Sequence, residues 1–228
     1  MSGDQSPATR EETPSVTPTA PARAVRTATT NDVPGVARVL GRAFQSDPFF
    51  RWFFPDENLR MAQTTRACAL MAGFGYVPSG YTTVVERRED SARGPVVRGA
   101  ALWAPPGASS EGFAVMLRSL PHWIHLVGLS RLPEIARYTA ELRAAAPDEP
   151  HWYLSMLGTD PVARGTGVGA HLLRAGLARA DADGVPVHLE TMNSANLGYY
   201  ERYGFRVVRA INDPRAPSAY CMVRPAAS

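Results

Sequence analysis

The chain has 228 residues, 45% hydrophobic and 20% charged, with 24 basic side chains, 21 acidic ones and a formal net charge of +3. That length supports one sizeable core and hence one domain, while the mild charge and scattered arginines speak against nucleic-acid binding. No run of about 18 apolar residues is present to span a bilayer, and the polar, acidic start lacks a secretory pattern, so a cytoplasmic protein without membrane attachment is expected.

Residues 1–22 are rich in Ser, Thr, Pro and Ala and nearly lack large apolar side chains. Such a segment does not offset its ordering entropy, so a disordered tail is expected ahead of a domain over 23–228. Ala24–Ala28 predicts a short strand, and Thr30-Asn31-Asp32-Val33-Pro34 sets capping residues before Val36, Val39, Leu40 and Phe44, one face of a first helix. The aromatic run Phe49, Phe50, Trp52, Phe53 and Phe54 reads either as the wall of a pocket for a planar or apolar ligand or as a packing corner between helices. Core packing is the expectation for most of it. A second helix is predicted over Glu57–Phe74, then a hairpin from Tyr81–Arg87 and Val96–Trp103. From Glu111 to Ala146 the composition is helical, but Pro121 and Pro133 predict two or three helices rather than one. Trp103, Trp123 and Tyr138 are candidates either for a ligand cleft or for helix contacts. A strand, a glycine turn, a helix, a strand, another helix and terminal strands at Phe205–Ala210 and Ala219–Arg224 complete a mixed sheet flanked by helices. Cys68 and Cys221 lie far apart in sequence and read as buried thiols rather than a disulfide.

The glycine turn carries the strongest functional signal. Between Asp160 and Asp181 the sequence DPVARGTGVGAHLLRAGLARAD sets glycines at 165, 167 and 169 before Val168, Leu172, Leu173, Leu177 and Ala180, which share one helix face. Backbone N–H groups uncovered by side chains then meet the positive end of a helix, a ready site for a phosphate. Arg164 adds a charge-assisted contact or fixes the loop. A nucleotide-triphosphatase loop needs Lys-Ser/Thr after its last glycine, whereas Ala170-His171 stands here and the chain contains no lysine. The dinucleotide fingerprint G-x-G-x-x-G/A is matched by Gly165, Gly167 and Ala170, with Glu190 about 20 residues on. Against it, Asp160 to Arg164 separate the strand from the glycines, Pro161 halts the ladder, and too little chain remains for a doubly wound domain.

Arg164-Gly165-Thr166-Gly167-Val168-Gly169 resembles the coenzyme A loop of Gcn5-related N-acetyltransferases, Q/R-x-x-G-x-G/A. The stretch Leu189 to Phe205, with Asn193, Tyr200-Glu201 and Gly204-Phe205, resembles that family's strand, asparagine, helix and Gly-Phe block. Within the family the chain is most similar to the puromycin N-acetyltransferase group, through Arg26 to Pro34, the LET and YYER segments and Tyr220-Cys221-Met222. The resemblance spans about 24–224 and is loose between 45 and 150. It implies a mixed α/β fold whose mostly antiparallel sheet of six or seven strands is splayed at the acetyl-CoA site and flanked by helices. It also implies acetyl transfer from acetyl-CoA directly to a primary amine of a small molecule, an antibiotic-like or aminonucleoside metabolite, by a monomer or homodimer; antibiotic resistance would then be one role. A protein Lys or N-terminal acetyltransferase and a non-catalytic coenzyme A sensor are the alternatives.

Transfer from a thioester needs a neutral amine, a stabilised oxyanion and a protonated leaving thiolate. The resemblance gives the last role to Tyr200, with Tyr199 and Tyr203 as competing aromatics and core packing as the bland reading. It gives coenzyme contacts to Leu157, Gly158 and Thr159 of the splayed strand, with an oxyanion donor at the N–H of Leu157 or its neighbour, and to Arg164, Gly165, Thr166, Gly167, Val168, Gly169 and Ala170 of the loop. Asn193 reads as a pantetheine contact, a helix cap or both. His188 and Glu190 alternate with Val187 and Leu189, so they share a face of an extended strand, either as a base acting through water or as a polar face that orients the acceptor. His171 follows the loop as a surface or phosphate neighbour. His122, His125 and His151 lack metal-ligand spacing, and no metal is expected.

Overall fold

A computed structural model describes residues 24–88, 95–107 and 109–227. The expected tail over 1–22 lies outside them. The chain opens with strand β1 (Val25–Thr27), and a single 3-10 turn leads into helix α1 (Val33–Phe44). The Asp32 side chain accepts from the Thr29 N–H at 2.7 Å and ion-pairs with Arg26 at 2.7 Å, fixing where that helix starts. Val36, Val39 and Leu40 are wholly buried. Each such side chain contributes about 1.5–3 kcal/mol by leaving water.

Most of the aromatic run folds as a short helix, α2 (Pro48–Phe53), where the sequence predicts no element. The predicted second helix is α3 (Arg60–Leu70), continued by a wider π turn over Met71–Tyr76. Strands β2 (Thr83–Arg88) and β3 (Pro95–Ala104) form the expected hairpin. Pro121 does not cut the helical stretch that follows. It lies inside α4 (Ser109–Val127), at an exposed position where water can serve the carbonyl it leaves without a donor. The break comes instead at Gly128, with φ +77, and Pro133 sits in the first turn of α5 (Leu132–Arg143).

The C-terminal half follows the expected order: β4 (Trp152–Thr159), α6 (Val168–Asp183), β5 (Val187–Thr191), the single-turn α7 (Leu197–Glu201), β6 (Arg206–Ile211) and β7 (Ala219–Arg224). The strands form one seven-stranded sheet in the order β1-β2-β3-β4-β5-β7-β6, antiparallel except for β4 beside β5. One face packs on α1, with α3 lying against α1, and the other on α6.

The register of β3 on β4 pairs Leu102 with Met156 but Trp103 with Leu154, so Ser155 is an extra residue in a β-bulge. The bulge reverses which face each side chain takes. Met156 joins the cluster under α1, while Leu154 and Trp152 join the cluster under α6.

Candidate functional site

The parallel strands β4 and β5 pair only at their starts, Trp152 with Val187 and Tyr153 with His188. Beyond that they diverge, and backbone groups of β4 on the β5 side are released from the ladder. The gap opens into a cleft of about 600 Å3. A groove of about 460 Å3 continues it past the glycine loop, sharing Leu157, Thr159, Arg164, Asn196 and Tyr200 with the cleft.

The groove is made chiefly of main chain. After β4, the Asp160 side chain accepts from the Val162 N–H at 3.3 Å and turns the strand into the 3-10 turn Pro161–Ala163. Its carboxylate is fully buried, with Arg38 at 2.9 Å, Arg98 at 3.0 Å and Arg42 at 3.7 Å. Burial opposes that charge, but the Val162 N–H and the three guanidiniums outweigh it and hold the carboxyl below the usual range. Gly165 and Gly167 take φ of +73 and +82, a backbone that side-chain-bearing residues rarely adopt. With Val168, Gly169 and Ala170 they line the groove at the N-terminus of α6. Thr166 does not; its hydroxyl turns away to the Ala163 carbonyl at 2.5 Å. His171 likewise turns Nδ1 onto the Gly167 carbonyl at 2.8 Å.

Leu157 and Thr159 line both parts of the site. Gly158 faces the opposite side of the sheet, where a Cβ would stand 2.6 Å from Leu40 Cδ2, so its missing side chain serves the contact with α1 while its backbone borders the cleft. Asn193 borders the cleft as a cap: Oδ1 accepts from the Ala195 N–H at 3.1 Å, leaving the amide NH2 as its donor for a ligand. Tyr200 borders cleft and groove alike, Tyr199 the groove, and Tyr203 neither. Burial, with the Asp47 carboxylate adding to it, pushes the Tyr200 phenol up, so it stays protonated at neutral pH.

The far end of the cleft is built from side chains. Glu190 Oε1 lies 3.1 Å from His188 Nε2, and the two side chains are 9% and 1% exposed. His188 Nδ1 is buried without a partner among the described residues. The Tyr153 ring stacks on the His188 ring at 5.8 Å, and burial together with the Glu190 charge pushes its phenol well up. Phe49 and Phe50 of α2 line the wall. Phe53 and Phe54 lie in the core, and Trp52 donates from Nε1 to the Arg215 carbonyl at 2.8 Å. The aromatic run therefore divides between the two readings.

Sequence reasoning missed Asp47, Tyr153, Ser155 and Asn196, all of which border the cleft. Asp47 had a legible signal, since Asp-Pro before a helix is a capping pattern, and its Oδ1 does accept from the Phe49 N–H at 2.9 Å. Ser155 had none, because its place depends on the bulge. Cys68 and Cys221 are buried free thiols, pushed up by burial to about 12 and about 11. Among the described residues no group of three His, Cys, Asp or Glu side chains is placed to hold a metal, and no helix is long and apolar enough to cross a membrane.

Residues 108–205 match the model of the acetyltransferase (GNAT) family. Among solved structures, a Corynebacterium glutamicum protein described as histone acetyltransferase HPA2 and related acetyltransferase is 28% identical, with a TM-score of 0.67 over 90% of this chain and 97% of that one. Arylalkylamine N-acetyltransferase 2 of Aedes aegypti is 13% identical, with a TM-score of 0.60 over 89% and 98%. The polyamine N-acetyltransferase of Drosophila melanogaster is 16% identical, with a TM-score of 0.52 over 89% and 99%. The last two likenesses concern the fold.

Proposed function

From the premise that the chain is an N-acetyltransferase of the GNAT fold, we propose that it transfers acetyl from acetyl-CoA directly to a primary amine of a small molecule. The observation that carries this reading is the divergence of β4 from β5, which joins a phosphate-suited glycine loop at one end to a buried carboxylate and imidazole at the other. Leu157, Gly158 and Thr159 offer released backbone to the pantetheine arm, with the amide of Asn193 opposite. Arg164, Gly165, Gly167, Val168, Gly169 and Ala170 would hold the pyrophosphate. Thr166 keeps its place through its main chain, since its hydroxyl is occupied.

Glu190, backed by His188, takes the proton of the incoming ammonium through water, and the neutral amine attacks the thioester carbonyl. An N–H of β4 at Leu157 or its neighbour meets the oxyanion. Tyr200 gives its proton to the leaving thiolate and is reprotonated by the proton that the attacking nitrogen loses as the amide forms; the thiolate forms in the same buried site, so burial raises both acids in the same direction. Direct transfer is favoured over an acetyl-enzyme because both cysteines are buried and held protonated.

The similarity to the puromycin group makes an aminonucleoside or another antibiotic-like amine the first acceptor to try. A histone acetyltransferase appears among the similar structures by name. The aromatic wall of Phe49 and Phe50 suits a small acceptor with an apolar body. The test is coenzyme A release with acetyl-CoA and a panel of puromycin, aminoglycosides, polyamines and lysine peptides. Tyr200→Phe should lower kcat by about 10²–10³-fold. An unchanged kcat would remove Tyr200 as the acid, and release with no amine at all would leave the coenzyme A sensor.

A further inference from the structure

Among the described residues, carboxylates that are not solvent-exposed follow one rule with two exceptions. Asp32, Glu86, Glu134, Glu141, Asp160, Asp181 and Asp213 each have an arginine within 3.3 Å. Asp47 and Glu190 have none: Glu190 meets His188 Nε2 and the Tyr153 hydroxyl but no guanidinium, and the Asp47 side chain is engaged only by the Phe49 N–H. Both line the same cleft, whose one basic residue among those described, Arg164, belongs to the glycine-loop end. A half-buried carboxylate without a cation is costly, and burial raises the Asp47 carboxyl accordingly. Phe44, Phe49, Phe50, Met71 and Leu142 give the cleft an apolar stretch of wall, with Thr139, Ser155 and Thr191 as polar groups in the same lining.

We propose that the missing counter-ion is the acceptor itself, a primary ammonium on a compact aromatic or otherwise bulky apolar body, held by Glu190 and Asp47 while Phe49 and Phe50 receive the body. This rests on the direct-transfer reading above and narrows its acceptor to an arylalkylamine-type amine. Charge supplies both selection and release. An ammonium supplies the positive charge that these two carboxylates lack, whereas an acceptor carrying its own carboxylate is repelled by them. Acetylation turns the cation into a neutral amide, so the attraction that captured the substrate is absent from the product. A linear polyamine would leave the aromatic wall of Phe49 and Phe50 unfilled and forgo the apolar burial that a ring supplies.

The experiment compares phenethylamine, spermidine and glutamate as acceptors, and measures phenethylamine binding to the protein saturated with coenzyme A by calorimetry. Phenethylamine should exceed spermidine in kcat/KM by about tenfold and glutamate by about 100-fold, as one or two ion contacts and a filled apolar wall imply. Asp47→Asn keeps the cap, since asparagine caps as well as aspartate. It should raise KM and Kd for phenethylamine about tenfold with kcat little changed. Phe49→Ala should raise KM for phenethylamine and leave that for spermidine where it was. Turnover that favours spermidine or glutamate, or an Asp47→Asn variant with unchanged KM and Kd, overturns the acceptor assignment while direct transfer stands. Calorimetric binding that Asp47→Asn weakens, without turnover of any amine, upholds the ammonium site and overturns direct transfer; no binding and no turnover overturns the acceptor assignment.

Discussion

At the glycine-loop end of the trough, the buried carboxylate of Asp160 has three arginines within 3.7 Å and a backbone donor besides. At the other end, Asp47 and Glu190 face the cleft with no arginine paired to either among the described residues. The first arrangement holds a loop in place and is satisfied without any ligand. The second is left incomplete by the fold, which is how a binding site differs from a structural one: its polar groups are finished by what it binds. Stability is given up there so that affinity can be gained.

The largest effect expected is on turnover. Glu190→Gln should lower kcat by about 10²–10³-fold while leaving the fold intact, read by coenzyme A release and circular dichroism together. A variant with full activity would leave Glu190 as an orienting group and make the two ends more alike than proposed.

Asp160→Asn comes next and should act on stability instead. Removing a fully buried carboxylate from three arginines costs about 2–3 kcal/mol, with the half-exposed Arg38 and Arg42 discounted for solvent screening. The pH dependence follows from the lowered carboxyl of Asp160. A group depressed in the folded state contributes above its unfolded value of about 3.9 and loses that contribution as pH falls through the lower folded one. Asp213, held at about 2 chiefly by the Arg215 N–H and side chain, acts in the same direction. Melting temperature should therefore drop below about pH 4, and drop less steeply in Asp160→Asn.

Gly165→Ala probes the same loop more gently. There is open space for the methyl, so the penalty is the positive φ alone, about 1 kcal/mol, with a several-fold rise in KM for acetyl-CoA. The smallest change sharpens the contrast most. The raised carboxyl of Asp47 means that folding is penalised as pH rises past the unfolded value, so Asp47→Asn should be neutral or more stable by a few tenths of a kcal/mol at pH 7. Chemical denaturation of the two Asp→Asn variants side by side decides it: equal losses would erase the distinction between a finished carboxylate and an unfinished one.

How far these features were legible in advance depended on how local their causes are. The start of α1, the β2–β3 hairpin, the glycine turn and the last strand were readable because caps, alternation and glycine spacing act over a few residues. The pairing of His188 with Glu190 was readable for the same reason, since two residues apart on a strand share a face. Pro121 was misread as a break, because at an exposed helix position the lost backbone bond passes to water. The aromatic run is read mostly as core, and Phe50, Phe53 and Phe54 are buried there, but which rings also reach the cleft depends on how α2 lies against α5 and the sheet.

The amino-acid sequence alone determined most of the strands and helices in their order and the phosphate-suited turn at the head of α6, because short-range propensities and backbone stereochemistry decide those. The tertiary structure alone decided the bulge at Ser155, the early parting of β4 from β5 and the meeting of Asp47 with Glu190 in one cleft. Those two carboxylates are far apart in the chain, and whether either would find an arginine is settled only when every helix has packed and the neighbours of each charge are known.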